Sequence, residues 1–393
     1  MKKMERLAVV AKNPIIYQAP LYREYAATGG DIEVFYLDSM GVDELVDTEF
    51  KIIIKWDIPL LEGYRYHFLK NYSPSRYGGF LARVNFGIFS VISKKRHEAV
   101  LITGYETLSC WFALIVAKLK GIPVIWRGEA VLRQSERLPL WKRILKKVVL
   151  KYFFRSCDAI MYSCTGNKEY LKYYGVTNSK LFPIPCAVDN SYFRSERDKY
   201  INKKGEIRSE LGIDLTDFVI LFSARFTLRK RPMDLLDAVS KIPHQDITVL
   251  FVGDGLERER MEIYAKQNGI KAVFVGFINH GLLAKYYSIT DVAVVISDYD
   301  PSPKVLNEVM NFELPIIVSD VVGTALDLVV HGENGFIVKV GDVDAISEHI
   351  VFLFKERKIA IEMGKKSLKI VSDWNFTEDV LWIGKAIKYA TKM

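Results

Sequence analysis

Three clusters in the second half of the chain have the residue types and spacing that would suit a phosphate and a polyhydroxy ligand. The first is Ser223-Ala224-Arg225, followed by Arg229-Lys230-Arg231-Pro232. It comes after the apolar run Val219–Phe222, and Pro232 suits the first turn of a helix. Open α/β sheets bind ligands beyond the carboxyl ends of their strands, and a basic turn there suits a phosphate through charge-assisted hydrogen bonds. A solvated basic loop would read the same way. The second cluster is Val252-Gly253-Asp254-Gly255-Leu256, where glycines permit positive φ and close backbone approach. A tight turn explains it equally well. The third runs from Ser297 to Thr324. Asp300 stands in a loop after the apolar run Val292–Ile296, Pro301 and Pro303 keep the chain extended, and a helix begins near Lys304. Glu308 follows Asp300 by eight positions. Two carboxylates at one strand end accept from the hydroxyls of a polyhydroxy ligand, and the first N–H groups of the helix suit a phosphate, with Lys304 and Asn307 near enough to join. The alternative is that Asp300 caps the helix and Glu308 is an exposed helix acid.

The elements that position these clusters are β-branched runs alternating with segments of helical period. Strands are expected at Leu7–Val10, Glu33–Leu37, Lys51–Lys55, Val100–Thr103, Val124–Trp126, Ile160–Ser163 and Leu181–Ile184. A second series is expected at Val219–Ser223, Thr248–Val252, Val273–Val275, Val292–Ile296, Ile316–Ser319 and Phe336–Val338. Helices are expected between them, including Ala19–Thr28, Gly78–Lys95, Leu108–Lys120 and Leu140–Ser156. Continuous apolar strands alternating with helices mean parallel sheets covered on both faces. The fold class is therefore α/β, with two Rossmann-like doubly wound domains. The boundary falls within Pro185–Gly212, where the polar Ser195–Arg208 reads as a linker. The expected division is 1–195, 196–372 and a last helix in 373–393 that returns to the first domain.

Half of the 393 residues are hydrophobic and 26% are charged, which excludes general disorder. No run approaches a membrane span. Leu7–Ala11 is short for a signal-peptide core, so a cytoplasmic location is expected. Cys110, Cys157, Cys164 and Cys186 match no metal or redox spacing, and no two of the six histidines share one. The net charge of +8 is unevenly spread. Residues 1–195 hold 29 Lys and Arg against 18 Asp and Glu, and the rest hold 26 against 29. The first half is thus suited to an anionic partner.

In order and spacing, Arg225 and Lys230, Gly253-Asp254-Gly255, Asp300-x7-Glu308, Pro315–Asp320 with Gly323, and Gly332-Glu333-Asn334-Gly335-Phe336 resemble the retaining, nucleotide-sugar-dependent glycosyltransferases of the GT-B fold, family 4 or group 1. The likeness covers 215–340, with softer cues at Asn13-Pro14, Pro20–Arg23, Gly121-Ile122-Pro123, Arg127-Gly128-Glu129 and Val188-Asp189-Asn190. It implies that Arg225 and Lys230 grip the donor diphosphate, Glu308 bonds the ribose, and Asp300 meets hydroxyls of the transferred sugar. Ser302, Pro303, Lys304 and Val305 would bind donor sugar and phosphate, and Gly253 and Gly255 would shape the adjoining turn. Asp300 stands where the family has a glutamate. Arg127-Gly128-Glu129 stands where many members have a histidine, so Glu129 is the candidate catalytic group on the acceptor side, beside Asn13 and Arg127. A salt bridge of Glu129 with Arg127 or Arg133 is the alternative.

The resemblance implies a nucleoside-diphosphate sugar (UDP or GDP) as donor, a glycan or polyprenyl-linked acceptor, retention of configuration, and no metal or other cofactor. Leu140–Arg155 places Lys142, Arg143, Lys146, Lys147 and Lys151 at helical spacing, with Trp141, Ile144, Leu145 and Val148 between them. Such helices lie on anionic membranes, which would suit a lipid-linked acceptor in envelope polysaccharide synthesis and a peripheral position on the inner face of the plasma membrane. A helix packed into the core with a basic solvated face is the alternative. The rival functions are a GT-B nucleotide-sugar epimerase and a non-catalytic nucleic-acid-binding scaffold. No recognised nucleic-acid motif occurs, so no nucleic-acid partner is expected.

Overall fold

The structure, a computed structural model, describes residues 6–42, 45–47, 52–54, 56–74, 78–136, 138–243 and 245–392. The chain forms two compact units. The first takes residues up to Cys186, apart from Asp47–Ile52, together with Phe376–Met393; the second takes Ala187–Asn375 and that short excursion.

The first unit is built on β1 (Arg6–Ala11), β2 (Asp31–Tyr36), β3 (Arg65–Phe68), β4 (Ala99–Thr103), β5 (Val124–Gly128), β6 (Ala159–Tyr162) and β7 (Leu181–Pro183), all parallel, in the order β3-β2-β1-β4-β5-β6-β7. The second has β8 (Phe218–Ser223), β9 (Ile247–Val252), β10 (Ala272–Gly276), β11 (Val292–Val295), β12 (Ile316–Ser319) and β13 (Gly335–Val338), in the order β10-β9-β8-β11-β12-β13. Apart from β3, whose side chains are exposed, these strands are largely apolar because helices cover both faces. In the first unit, Val100, Ile102, Val124 and Trp126 pack under the Leu108–Leu119 and Leu140–Ser156 helices. On the opposite face Leu7, Val9, Leu101 and Ile125 pack under Ala19–Ala27 and the final helix, Phe376–Lys392. The strand order reverses between β1 and β4 in one sheet and between β8 and β11 in the other. Connections leave such a pair of strands in opposite directions, and a crevice opens at their carboxyl ends.

Several expectations are corrected. The division comes at 186/187, at the start of the expected interval and before residue 195. Ser195–Arg208 is not a linker: it is helical through Asn190–Tyr200, Ile201–Lys203 and Lys204–Glu210. Its charges are structural. Arg208, 3% exposed, donates to the carbonyls of Ile289 and Asp217 and to Asp291 at 2.7 Å, and Arg197 pairs with Glu313 at 2.8 Å. Gly78–Lys95 holds only the short turns Phe80–Ala82 and Ile88–Val91. The Asn85 amide is the reason, since it donates to the carbonyls of Leu37, Leu69 and Lys70 and so ties the chain to other segments. Of the strand expected at Lys51–Lys55, Ile52–Ile54 is extended but pairs with Leu45–Asp47 outside the main sheet, and its end residues lie outside the described ones.

Asn190 opens the second unit. Its amide donates to the carbonyls of Val371 (3.1 Å) and Trp374 (2.9 Å), next to where the chain leaves, and its oxygen accepts from Asn311 (2.8 Å). Asn190→Ala strands these buried groups, so it should cost about 2 kcal/mol or more. The check is the thermal midpoint of the purified chain; a midpoint equal to that of the wild type would show that the anchor is dispensable.

Candidate functional site

At the carboxyl end of β8 the chain turns through Ala224–Thr227, a short 3-10 turn at Leu228–Lys230, and Arg231 in the left-handed region (φ 55°), before the Pro232–Ser240 helix. The Gly253–Gly255 turn after β9 makes room for this loop. A Cβ on Gly253 (φ 136°) would lie 2.0 Å from the Ala224 carbonyl oxygen, and one on Gly255 would lie 2.3 Å from that of Phe226. The two loops continue the strand ladder: the Phe226 N–H donates to Asp254 (2.9 Å) and the Glu257 N–H to Phe226 (3.1 Å). The glycines therefore fix the path of the backbone that presents Arg225, which is exposed on the turn.

Across the crevice the loop after β11 meets the same turn. The Asp298 N–H donates to the Arg229 carbonyl (2.8 Å), and the Arg229 guanidinium donates to the Tyr299 carbonyl (2.6 Å). Lys230 and Asp300 form an ion pair with both side chains largely buried. Asp300 accepts through its own carbonyl from the Gly323 N–H (2.8 Å), which holds the loop against the turn after β12. The Lys304–Met310 helix starts after Pro303 with no side chain capping it, while Lys304 donates to the Ser302 hydroxyl (3.0 Å). Ser302 and Pro303 are buried and Val305 is partly so. Asp300 is thus a partner of Lys230 and not the cap.

Glu308, 2% exposed, is not an exposed acid. Tyr287 from the His280–Tyr287 helix donates its hydroxyl to Glu308 Oε2 at 2.8 Å and stands 3.2 Å from the Ser223 hydroxyl at the end of β8. With its hydrogen directed at Glu308, the neutral Tyr287 hydroxyl is left to accept from Ser223, so a relay joins the strand end to the helix acid. Burial, reinforced by the Glu308 charge, pushes the Tyr287 hydroxyl well above the ordinary tyrosine range. The sequence reading missed Tyr287. Asn307, fully buried beside Glu308, has neither amide atom hydrogen-bonded.

In the first unit the expected residues separate. Glu129 borders a cavity of about 140 Å³ at the ends of β1, β4 and β5. Arg127 borders it too, but its side chain is buried. Burial pulls the guanidinium down, yet Cys186, Asp379 on the final helix and Glu129 outweigh this and leave it above its ordinary value. Arg127 is thus a buried part of the cavity wall. The Asn13 amide turns back to the Pro14 carbonyl (3.1 Å), beside a separate cavity lined by Met40, Gly41 and Trp56. On the Leu140–Ser156 helix, Lys146 does not join Lys142, Arg143, Lys147 and Lys151 at the surface. It reaches inward to the Ser135 hydroxyl (3.0 Å) over the rings of Tyr170 and Tyr105, and burial lowers its ammonium pKa.

Residues 203–369, nearly all of the second unit, match the family described as glycosyl transferases group 1. The second unit thus carries the sequence of a group 1 glycosyl transferase domain. An uncharacterized glycosyltransferase of Methanocaldococcus jannaschii is 26% identical over 58% of this chain and 54% of its own length, and the chain spans about half the length of the curated relatives it first matches. An α-1,4-N-acetyl-D-galactosaminyltransferase of Campylobacter jejuni, whose name includes a PP-undecaprenol glycan, is 23% identical over 84% of this chain and 83% of its own. The crystal structure of HepE from Anabaena in complex with UDP superposes with a TM-score of 0.75 over 98% of this chain and 99% of that one, at 14% identity. That likeness gives the fold, which is GT-B: two Rossmann-like domains in one chain.

Gly253→Ala forces a methyl into the Ala224 carbonyl, so it should cost about 1–3 kcal/mol and lower the melting temperature. Tyr287→Phe leaves the buried Glu308 oxygen without its donor, at about 1–3 kcal/mol. The wild type should lose stability above about pH 10, where the unfolded chain ionises a tyrosine that the fold keeps neutral. Tyr287→Phe should show a shallower alkaline fall in a pH series of melting temperatures, and a parallel fall would contradict the relay.

Proposed function

We propose that this chain is a retaining hexosyl-type glycosyltransferase that moves a sugar from a nucleoside-diphosphate sugar to a glycan or polyprenyl-linked acceptor in cell-envelope polysaccharide synthesis. The observation that carries the reading is the Lys230–Asp300 pair at the crevice between β8 and β11, with Glu308 beneath it. In this reading the donor diphosphate takes Lys230 from Asp300 and is met by Arg225 on the same turn. Asp300, released, accepts from the hydroxyls of the sugar, and Glu308, oriented by Tyr287, accepts from the ribose. Two cations at the diphosphate make a metal unnecessary for charge neutralisation. The acceptor oxygen bonds to the anomeric carbon as the bond to the diphosphate breaks, and its proton passes to the departing phosphate oxygen on the same face. Lys230 and Arg225 stabilise the charge that develops there.

The Leu140–Ser156 helix supports a membrane-bound acceptor. Only Leu150, Phe153 and Phe154 are buried, whereas Leu140, Trp141, Ile144, Leu145, Val148 and Tyr152 are exposed among Lys142, Lys147 and Lys151. So much apolar surface rimmed by cations suits an anionic bilayer. No helix among the described residues is long and apolar enough to cross a membrane. We place the protein peripherally on the cytoplasmic face.

A nucleoside-diphosphate panel read by thermal shift tests the donor side, because a ligand that binds only the native state raises the midpoint. UDP should stabilise the wild type, less so Lys230→Ala, and Asp300→Ala at least as much, since the phosphate then meets an unpaired ammonium. In turnover, Arg225→Ala or Lys230→Ala should cost about 2–4 kcal/mol of transition-state stabilisation. Wild-type rates from both would contradict the assignment. For the membrane, the chain should co-sediment with anionic vesicles and not with neutral ones, and Trp141→Ser with Leu145→Ser should weaken that retention; equal pelleting on both vesicle types would argue against it.

A further inference from the structure

The two sheets share a feature that the family's motifs mark in only one of them. In the second unit the crevice where strand order reverses, between β8 and β11, is flanked by a lysine and a carboxylate, Lys230 and Asp300. In the first unit the reversal lies between β1 and β4. Lys12 directly follows β1, and Glu106 follows β4 by three residues. Their side chains meet at 2.9 Å, Lys12 Nζ to Glu106 Oε2, on the wall of the same cavity that Glu129 borders. The crevice at such a reversal is where open α/β sheets take ligands.

The local structure is shaped around Glu106. Gly104 adopts φ 87°, and a Cβ there would stand 2.4 Å from Glu106 Oε2, so the backbone leaves the space that the carboxylate fills. The Tyr105 N–H donates to the same oxygen (3.0 Å). Gly104 is held by the Arg127 carbonyl (2.9 Å) and holds the Trp126 indole (2.9 Å), which ties the turn to β5. Burial pushes the Glu106 carboxyl up, but Lys12 and the two N–H groups around it hold the net below the ordinary range, so it is ionised at neutral pH. Half of the Glu106 side chain still faces the cavity. An ion pair this open adds little to stability, about 0–1 kcal/mol. Both charged groups line the cavity, within reach of a ligand in it.

We propose that Lys12 and Glu106 form the polar subsite that holds the sugar acceptor. Glu106 accepts from an acceptor hydroxyl, and Lys12 donates to a neighbouring oxygen of the same ring. The first unit thereby uses for its sugar the device that the second uses for the donor. This rests on the glycosyl-transfer reading above.

The test is saturation-transfer NMR on the full chain with D-glucose, D-galactose and their N-acetylamino forms as probes, alongside the UDP thermal shift. At least one sugar should bind the wild type. Glu106→Gln should weaken that binding about tenfold or more, and Lys12→Met should weaken it as well. Melting temperatures and UDP shifts should match the wild type in both variants. Sugar binding unchanged in both variants, or none by the wild type, would overturn the subsite. Absence of a UDP shift from all three proteins would instead contradict the donor reading, and the sugar result would still decide the subsite.

Discussion

Lys230 and Asp300 are two opposite charges held largely out of water at the gap where the second sheet reverses its order, and much of that unit serves to keep them there. Removing one partner of such a pair leaves the other stranded at a cost of several kcal/mol, so the surroundings must hold both. Gly253 and Gly255 let the loop carrying Arg225 lie flat against the next turn. The Asp298 and Arg229 backbones are cross-linked over the crevice, and the Gly323 N–H pins the Asp300 carbonyl from behind. Beneath them the Ser223–Tyr287–Glu308 relay ties the strand end to the helix acid. In the proposed reading a diphosphate would replace the carboxylate partner of Lys230, so that binding would exchange one satisfied pair for another.

The first unit repeats the topology with different constraints. Its crevice carries Lys12 and Glu106, more exposed than the pair in the second unit and less bound to the fold. On the proposed assignment that difference suits the two tasks: the nucleoside diphosphate would meet a rigid, preorganised charge, and the acceptor an open polar pair on a glycine-shaped turn. The final helix returns to this unit and sets Asp379 near the buried Arg127, which lines the same cavity.

Much of this was legible in the sequence because the features concerned are local. A parallel strand buried on both faces is a short apolar run whatever surrounds it, and the donor cluster lies on consecutive strand-to-helix turns whose glycines, prolines and charges stand in order. What was not legible depends on distant partners. Arg208 reads as linker charge until Asp291 and the Ile289 carbonyl, some 80 positions away, are seen to hold it. Asn85 breaks an otherwise plausible helix by bonding carbonyls up to 48 positions away. β3 carries exposed side chains along its length, so it lacks the apolar run that announces the other strands. Lys146 has the helical spacing of its basic neighbours but lies over Tyr170 and Tyr105, which spacing alone does not reveal. Tyr287 and Glu106 carry no motif; only the strand order shows that each stands at a crevice.

The measurement that bears most directly on the central claim is a crystal structure of the chain soaked with UDP. The account predicts that Lys230 leaves Asp300 for an oxygen of the terminal phosphate, that Arg225 closes on the same diphosphate, and that the ribose hydroxyls reach Glu308 while Tyr287 keeps its bond to Oε2. A nucleotide bound elsewhere, or bound with Lys230 and Asp300 still paired, would contradict it.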